Sequence, residues 1–251
     1  MILDEIVRRS EKRAAMLPAT FPEPTTHIHT SLAAAIRERD GKNAVIAEIK
    51  CTSPSRGMIR RNVDMAQMAG VLAAGGCVAL SVLTEPYFFG GAGLDVARVK
   101  SAVNLPVLRK DFIVDERQIA ETRALGADAV LLIAAVLGDR LPAFVDMASD
   151  YGLEPLVEVH SSGEAESAVG TNATLIGINN RNLVTMTIDR STTRLLSESV
   201  RREGRLIVSE SGMRSADDVR EMKPYCDAFL IGSSIMSHEH PRKKLEEFVC
   251  A

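Results

Sequence analysis

Short apolar runs alternate with longer segments of mixed polarity from residue 44 to the end of the chain. The runs cover residues 44–49, 77–83, 105–108, 127–133, 154–159, 174–178, 205–208 and 227–231. Continuous apolar runs of this kind are typical of strands buried on both faces, and their spacing of about 20 to 33 residues suits one strand–helix unit each. Eight such units in succession predict an α/β protein with a single closed (β/α)8 TIM barrel.

Helix-capping signals in the segments between the runs support this pattern. Asp64, Asp115 and Ser162 stand where a side-chain oxygen can cap the first turn of a helix, and residues 215–218 match a capping box. Glycines occupy the returns from helix to strand, where a left-handed residue often follows a helix: Gly76, Gly126, Gly152 and Gly204. An open doubly wound sheet would share most of these features. It is disfavoured because no Gly-x-Gly-x-x-Gly follows the first run.

The first 43 residues contain no strand pattern. Residues 1–16 place apolar side chains at helical spacing, and Ser31 precedes a second helical segment that Asp40-Gly41 ends. A segment of this size is too small to hold a core of its own. We therefore predict that residues 1–43 form an N-terminal helical extension packed on a barrel of residues 44–251.

Composition narrows the class of function. The 251 residues are 46% hydrophobic with a net charge of −3, which gives no basic surface for nucleic acid. No apolar run reaches the ~18 residues that cross a bilayer, and the first residues lack a signal-peptide profile, so we expect a cytoplasmic protein without a membrane partner. The four cysteines form no Cys-x-x-Cys pair, and the pairs His27/His29 and His238/His240 have no ligand cluster beside them, so no metal site is expected.

Charged side chains collect where the predicted strands end, which is the face where parallel barrels carry their chemistry. Glu48 and Lys50 alternate with apolar residues, so both face the barrel interior, and Glu158 faces inward for the same reason. A buried charge is unfavourable unless it is paired or used. The alternative for Glu48 and Lys50 is a purely structural ion pair at the mouth of the barrel.

Three consecutive charges, Arg109-Lys110-Asp111, follow the third apolar run and precede the helix capped by Asp115. A cation-rich turn at the carboxyl end of a buried strand is a candidate for chemistry, and a solvated charged loop is the alternative. We expect Lys50 and Lys110 to lie close together. A lysine that is crowded by a second cation can lose part of its proton affinity and become a usable acid.

Aromatic and small polar residues complete the strand ends. Residues 87–89 (Tyr-Phe-Phe) and Phe112 could form one wall for a flat ligand, or could instead anchor their loops. Arg181 offers a planar fork for a carboxylate. The turns after the seventh and eighth runs are rich in Gly and Ser, the place where such barrels commonly bind phosphate. This set predicts acid–base chemistry on a phosphorylated sugar.

Several motifs, in this order, resemble those of the indole-3-glycerol phosphate synthase family. They are Glu48-Ile49-Lys50 with Ser53-Pro54-Ser55, Ser81-Val82-Leu83-Thr84-Glu85 with Tyr87-Phe88-Phe89-Gly90, Arg109-Lys110-Asp111-Phe112-Ile113, Ile176-Gly177-Ile178-Asn179-Asn180-Arg181-Asn182-Leu183 and Ser209-Glu210-Ser211-Gly212. The resemblance implies a carboxy-lyase of tryptophan biosynthesis. Such an enzyme closes the ring of 1-(2-carboxyphenylamino)-1-deoxyribulose 5-phosphate to indole-3-glycerol phosphate, releases CO2 and water, and needs no cofactor.

The resemblance also implies roles for the polar residues. By position, Lys110 is the general acid that protonates the ribulose carbonyl, and Glu158 assists the dehydration as acid or base. Lys50 holds anionic groups of the substrate and shares in the proton transfers. Glu48 and Asn179 orient the lysines and the sugar hydroxyls.

Further positions are implied to bind the substrate. Ser53 and Arg181 lie near the anthranilate carboxylate, Phe89 and Phe112 flank the aromatic ring, and Glu210 contacts the substrate. The residues implied to bind phosphate are Ser211, Gly212, Gly232 and Ser233. The chain departs from many relatives at Cys51-Thr52, Asn182 and Ser233-Ser234, which leaves every catalytic group in place.

Two other functions remain open at this stage. Lys110 could act as a Schiff-base nucleophile in an aldolase-type reaction, or the barrel could bind a phosphosugar without catalysis. The sequence leaves the oligomeric state open, with a monomer as the working expectation. The partner that we expect is a small phosphorylated molecule.

Overall fold

The apolar runs form parallel strands that close into a barrel. The structure is a computed structural model and describes residues 2–22, 29–55, 57–201 and 204–251. In these residues the barrel strands are β1 (Ala44–Ile49), β4 (Ala79–Leu83), β5 (Val107–Lys110), β6 (Ala129–Ile133), β7 (Glu154–Val159), β8 (Leu175–Asn179), β9 (Leu206–Glu210) and β10 (Ala228–Ile231). They follow one another around the barrel in chain order, β1 pairs with β10, and every pair is parallel. The predicted (β/α)8 barrel is confirmed.

Most of the helices connect successive strands on the outside of the barrel, and others precede the first strand or follow the last. The helices are α1 (Ile2–Ala15), α2 (Leu32–Arg37), α3 (Met65–Ala74), α4 (Leu94–Ala102), α5 (Glu116–Ala124), α6 (Ala134–Leu137), α7 (Leu141–Asp150), α8 (Ser162–Val169), α9 (Ser191–Val200), α10 (Ala216–Met222), α11 (Ser233–Met236) and α12 (Pro241–Val249). A small hairpin of β2 (Thr52–Ser53) and β3 (Gly57–Met58) lies in the loop after β1.

On the side of the site, three strands extend beyond the predicted runs. β5 continues through Arg109 and Lys110, β8 includes Asn179, and β9 includes Ser209 and Glu210. An apolar run stops at the first polar residue, whereas the backbone ladder continues because these polar side chains find partners inside or outside the barrel. At the other end, β4 begins at Ala79, two residues later than predicted.

The predicted caps hold with one correction. Asp64 and Asp115 cap α3 and α5, and Ser215 forms a capping box with Asp218 at α10. The prediction of Ser162 as a cap is wrong, because Ser161 accepts the bond from the backbone N–H of Glu164 and Ser162 is already the first helical residue. The four predicted return glycines have φ values between +70° and +84°.

Side-chain alternation along the strands creates two apolar layers. Val45, Ala47 and Ile49 of β1 pack outward with the helices, whereas Ala44 and Ile46 pack into the barrel interior. The interior layer reaches α1 through Ile6 and α2 through Leu32, Ala33 and Ile36. The polar site therefore lies above a closed apolar interior.

Helix α2, in the segment before β1, covers the amino-terminal end of the barrel. The N-terminus of α2 meets Glu154, the first residue of β7, whose carboxylate accepts from the backbone N–H groups of Leu32 and Ala33 and from the Ser31 hydroxyl. Residues 23–28, which include His27, lie outside the described residues. The boundary between an extension and the barrel at residue 43 stays a prediction. No described helix is both long and apolar enough to cross a membrane.

Candidate active site

A cavity opens at the carboxyl end of the barrel strands. All of the site residues predicted from the sequence except Glu210 line it, namely Glu48, Lys50, Ser53, Phe89, Lys110, Phe112, Glu158, Asn179, Arg181, Ser211, Gly212, Gly232 and Ser233. These residues come from seven loops or strands that are far apart in the chain. The barrel topology therefore brings the predicted residues together at one mouth.

Lys110 lies at the centre of the charged groups. Its Nζ donates a hydrogen bond to Oε2 of Glu210 at 2.6 Å, and it lies 3.5 Å from Glu158 Oε2 and 3.9 Å from Glu48 Oε1. The three carboxylates are nearly inaccessible to solvent, with 1 to 4% of each residue exposed. A single ammonium group thus joins carboxylates from three different strands.

The electrostatic effect on Lys110 is opposite to the one predicted. Burial disfavours the ammonium group, but the attraction of Glu210, Glu158 and Glu48 outweighs it and raises the pKa of Lys110. The prediction that a second cation lowers the proton affinity of this lysine is wrong, because three carboxyl groups surround it and their net attraction raises its pKa. Lys110 is therefore protonated at neutral pH, ready to give a proton but not to act as a free amine.

The carboxylates divide into two charge states. Burial raises the pKa of Glu48 and Glu158, but Lys50 and Lys110 beside Glu48, and Lys110 and His160 beside Glu158, outweigh burial and hold both pKa values below the usual range. Burial and the neighbouring Glu158 raise the pKa of Glu210 to about 8, although Lys110 opposes this shift. Glu158 is thus an ionised carboxylate, and Glu210 is mostly protonated at neutral pH.

Glu210 lies behind Lys110 and not on the cavity surface. The Glu210 carboxyl group also lies against Gly177 of β8, where an added Cβ atom would collide with Oε1 of Glu210. Gly232 has the same relation to Glu48, whose Oε2 also pairs with Lys50. Two glycines therefore make room for two buried carboxylates, a function that the sequence pattern did not reveal.

Of the three consecutive charged residues after the third run, Lys110 and Asp111 line the cavity and Arg109 does not. Arg109 is 2% exposed and donates to Thr84, Thr122 and the carbonyl of Gln118 on the outer side of β5. Asp111 pairs with Arg109 and accepts from the Thr84 hydroxyl. The prediction of a cation-rich turn is therefore wrong for Arg109, whose charge serves the packing of α5.

The first helix forms part of the cavity, which the sequence analysis did not predict. Ile2, Leu3 and Ile6 of α1 line the cavity. Helix α1 is held there by the Ser10 hydroxyl, which donates to the carbonyl of Phe112 at 2.5 Å, and by Arg13, which pairs with Asp111 at 2.6 Å. The amphipathic pattern of α1 predicts a buried face but not what that face covers.

Two of the four predicted aromatic residues line the cavity. The rings of Phe89 and Phe112 face each other with centroids 6.2 Å apart and an interplanar angle of 32°. Tyr87 and Phe88 instead lie under the guanidinium of Arg9, outside the cavity. Both predicted uses of aromatic residues thus occur, one pair as a wall and the other as loop anchors.

The remaining polar residues are placed by hydrogen bonds to the backbone. Nη1 of Arg181 donates to the carbonyl of Met186, and its backbone N–H donates to the side-chain oxygen of Asn179. The Ser53 hydroxyl is buried at the cavity and makes no hydrogen bond to any described residue. An orphaned hydroxyl of this kind is available to a ligand.

The turns after β9 and β10 present small residues to the cavity. Ser211 and Gly212 have φ values of +64° and +96°, and a bond from Ser234 Oγ to the carbonyl of Met213 at 2.6 Å joins the two turns. Asn180, which the sequence analysis did not select, holds this backbone by donating to the carbonyls of Glu210 and Ser211.

Matches to known proteins agree with this arrangement. The family model for indole-3-glycerol phosphate synthase matches residues 4–248. The chain belongs to the indole-3-glycerol phosphate synthase family. A relative with that name from Caldanaerobacter subterraneus subsp. tengcongensis is 45% identical over 83% of this chain and 81% of its own length. Another, from Thermoanaerobacter sp. strain X514, is 39% identical over 99% of this chain and 97% of its own length.

Membership of the indole-3-glycerol phosphate synthase family confirms the resemblance seen in the motifs. Among solved structures, thiamine phosphate pyrophosphorylase from Pyrococcus furiosus superposes with a TM-score of 0.60 over 87% of this chain and 96% of its own. Its sequence identity is 18%, so this likeness shows the barrel fold alone.

Proposed function

We propose that this chain catalyses the ring closure of 1-(2-carboxyphenylamino)-1-deoxyribulose 5-phosphate to indole-3-glycerol phosphate, with loss of CO2 and water. The observation that carries this proposal is the protonated Lys110 among three carboxylates in a cavity with an aromatic wall and two small-residue turns. Family membership supplies the substrate.

The substrate is held at three points in this proposal. Its phosphate lies against the turns that contain Ser211, Gly212, Gly232 and Ser233. Its aromatic ring lies against Phe89 and Phe112, and its carboxylate lies near Ser53 and Arg181. These three groups fix the ring carbon next to the sugar carbonyl, which removes much of the entropic barrier to the attack.

The first chemical step joins the ring to the sugar. The ring carbon that bears the carboxylate attacks the carbonyl carbon, and Lys110 gives its proton to the oxygen. A developing alkoxide is basic enough to take a proton even from an ammonium group with a raised pKa. The carbon–carbon bond to the carboxylate then breaks, and its electron pair restores the aromatic ring as CO2 leaves.

The second step removes water. The new hydroxyl leaves with a proton from one of the two ammonium groups, Lys110 or Lys50, and the ionised Glu158 takes a proton from the neighbouring carbon. Glu48 and Asn179 orient these groups, since Glu48 pairs with Lys50 and Asn179 forms a hydrogen bond with Glu158. The products carry one negative charge fewer than the substrate, so each turnover takes up one proton.

The experiment that tests this function is a fluorescence assay with the purified chain. The chain contains no tryptophan, so indole emission that grows with time comes from the product alone. We expect emission to rise on addition of 1-(2-carboxyphenylamino)-1-deoxyribulose 5-phosphate, with one CO2 released per indole formed. Binding of the substrate without emission would instead support the non-catalytic alternative.

The Schiff-base alternative is disfavoured by the charge on Lys110, because a nucleophilic amine must be unprotonated. Treatment of the chain and substrate with borohydride distinguishes the two mechanisms. The acid–base mechanism predicts no covalent adduct by mass spectrometry, whereas an aldolase-type mechanism predicts a stable adduct at Lys110.

A further inference from the structure

His160 joins the charged cluster from outside the cavity. It directly follows β7, and its Nε2 lies 3.2 Å from Oε1 of Glu158. Its Nδ1 lies 3.1 Å from Oε2 of Glu164 in the first turn of α8. The side chain is 12% exposed and is absent from the cavity surface. The imidazole therefore bridges two carboxylates and cannot touch a substrate in the cavity.

Hydrogen bonds fix the Glu164 carboxylate that lies at Nδ1 of the imidazole. Oε2 of Glu164 also accepts from the backbone N–H of His160 at 2.8 Å, and Oε1 accepts from the Ser161 hydroxyl at 2.9 Å. Nε2 of His160 faces the carboxylate of Glu158, with Oε1 at 3.2 Å. The ring is thus held at one nitrogen and directed at Glu158 with the other.

Glu158 receives a cation at each of its oxygens. Lys110 lies on the Oε2 side, and His160 lies on the Oε1 side. The other groups that face Glu158 are Asn179, with a hydrogen bond, and the carboxylates of Glu210 and Glu48, with repulsion. His160 is therefore a counterion of Glu158 that remains in place when Lys110 has given up its proton.

The charge on the ring agrees with this geometry. Burial disfavours the imidazolium, but Glu158 and Glu164 outweigh burial and raise the pKa of His160 to about 10. Both ring nitrogens then carry a proton, which suits a ring with a carboxylate on each side.

We propose that His160 is a positioning residue, which holds the Glu158 carboxylate towards the cavity and keeps it ionised as a base throughout the turnover. This inference rests on the proposed function. Without His160, Glu158 would have only Lys110 as a cation partner, in the presence of two repelling carboxylates. Once Lys110 had donated its proton, Glu158 would take up a proton more readily and would be lost as a base.

Two variants separate the two contacts of the ring. The short amide of His160→Asn can still donate to Glu164 but does not reach Glu158, whereas the longer amide of His160→Gln can reach Glu158 without a charge. We expect His160→Asn to lower kcat about tenfold with KM changed less than twofold, and His160→Gln to recover part of the loss. His160→Asn should also move the acid limb of the kcat profile to higher pH, because the pKa of Glu158 rises when an adjacent cation is removed. The exposed His240→Asn is the matched control and should behave as the unaltered chain.

A double-mutant cycle completes the test. In a Glu158→Gln background, His160→Asn should change kcat less than twofold, because there is no carboxylate left to position. An equal, independent loss of activity in that background would overturn the proposal. The proposal would also be overturned if the loss of kcat in His160→Asn matched the fall of its thermal unfolding midpoint and the acid limb of its kcat profile stayed at the same pH. Absence of indole emission from the unaltered chain would overturn the proposed function itself, which distinguishes the two failures.

Discussion

Lys110 and its neighbours show how a few side chains at the barrel mouth set each other's charge. The ammonium group is central, and the attraction of the surrounding carboxyl groups raises its pKa and keeps it protonated. Three carboxylates around one cation cannot all be ionised at low cost, because like charges repel strongly at low dielectric constant. Among the three carboxyl groups, Glu210 is therefore the one whose pKa is raised. The binding of a proton by Glu210 contributes to the stability of the folded chain.

The raised pKa of Glu210 predicts a pH-dependent effect of Glu210→Gln on stability. Folding raises the pKa of this acid from 4.5 to about 8. Its protonated form therefore contributes stability that is complete below about pH 4.5 and is lost as the pH rises through about 8. Because glutamine resembles the protonated acid, the unfolding midpoint of the variant relative to the unaltered chain should increase between about pH 5 and 8.5.

Thermal melts across this pH range, followed by circular dichroism, measure the effect. Glu166→Gln, on the exposed face of α8, is the matched control for the loss of one carboxylate. A difference between Glu210→Gln and the unaltered chain that stays constant across the range would contradict the assignment of the proton to Glu210. In the same variant kcat should fall only above about pH 8, where Glu210 of the unaltered chain is ionised beside Lys110 and the amide is not.

At the scale of elements, the strands bring the polar groups close together through glycines on neighbouring strands. Gly177 of β8 lies beside the Glu210 carboxylate of β9, and these two strands pair directly. At this level of the barrel interior, the Glu210 side chain of β9 therefore occupies the space that a side chain at Gly177 of β8 would need. This arrangement is sensitive to a single methyl group.

Gly177→Ala should displace Glu210 and with it Lys110. Overpacking of a buried position costs about 1 to 3 kcal/mol, so the unfolding midpoint should fall. We also expect a loss of about tenfold or more in kcat, because the partner of Lys110 has moved. The matched control is Gly70→Ala on the exposed face of α3, where an added Cβ meets nothing within 4 Å and should stabilise by about 0.5 to 1 kcal/mol. Unchanged kcat in Gly177→Ala would show that Glu210 does not place Lys110.

Sequence patterns predicted the secondary-structure elements better than the contacts between side chains of different elements. Continuous apolar runs identified all of the barrel strands, and alternation correctly placed Glu48 and Lys50 on the same side. The patterns failed where polar side chains extend a strand, as in β5 at Lys110. Contacts such as Lys110 with Glu210, 100 residues apart, depend on the register of the closed barrel and have no local signal. The contributions of α1 and His160 were missed for the same reason.

At the scale of the whole molecule, the two ends of the barrel have different tasks. The carboxyl end holds the cavity and its charges, whereas the amino end is closed by α2 and the apolar interior. Glu154 ties α2 to that end through three hydrogen bonds. Changes at the amino end should therefore alter stability without altering the chemistry.

Glu154→Ala tests this separation. Loss of a carboxylate that accepts bonds from buried donors costs about 1 to 3 kcal/mol, or a drop of about 2 to 12 °C in the unfolding midpoint. We expect kcat and KM to remain within twofold of the unaltered chain at a temperature where both are folded. Glu239→Ala, at an exposed position, is the control and should change neither. A large fall in kcat for folded Glu154→Ala would contradict the division between the two ends.

We propose that Lys110 gives the proton that drives ring closure. The most direct test of this role is the single-turnover rate of indole formation by Lys110→Met. The affinity of the variant for the substrate is measured in parallel. The exposed Lys243→Met is the control. The account predicts a rate at least ~100-fold lower than that of the unaltered chain, with substrate binding largely retained. A rate close to that of the unaltered chain would contradict it.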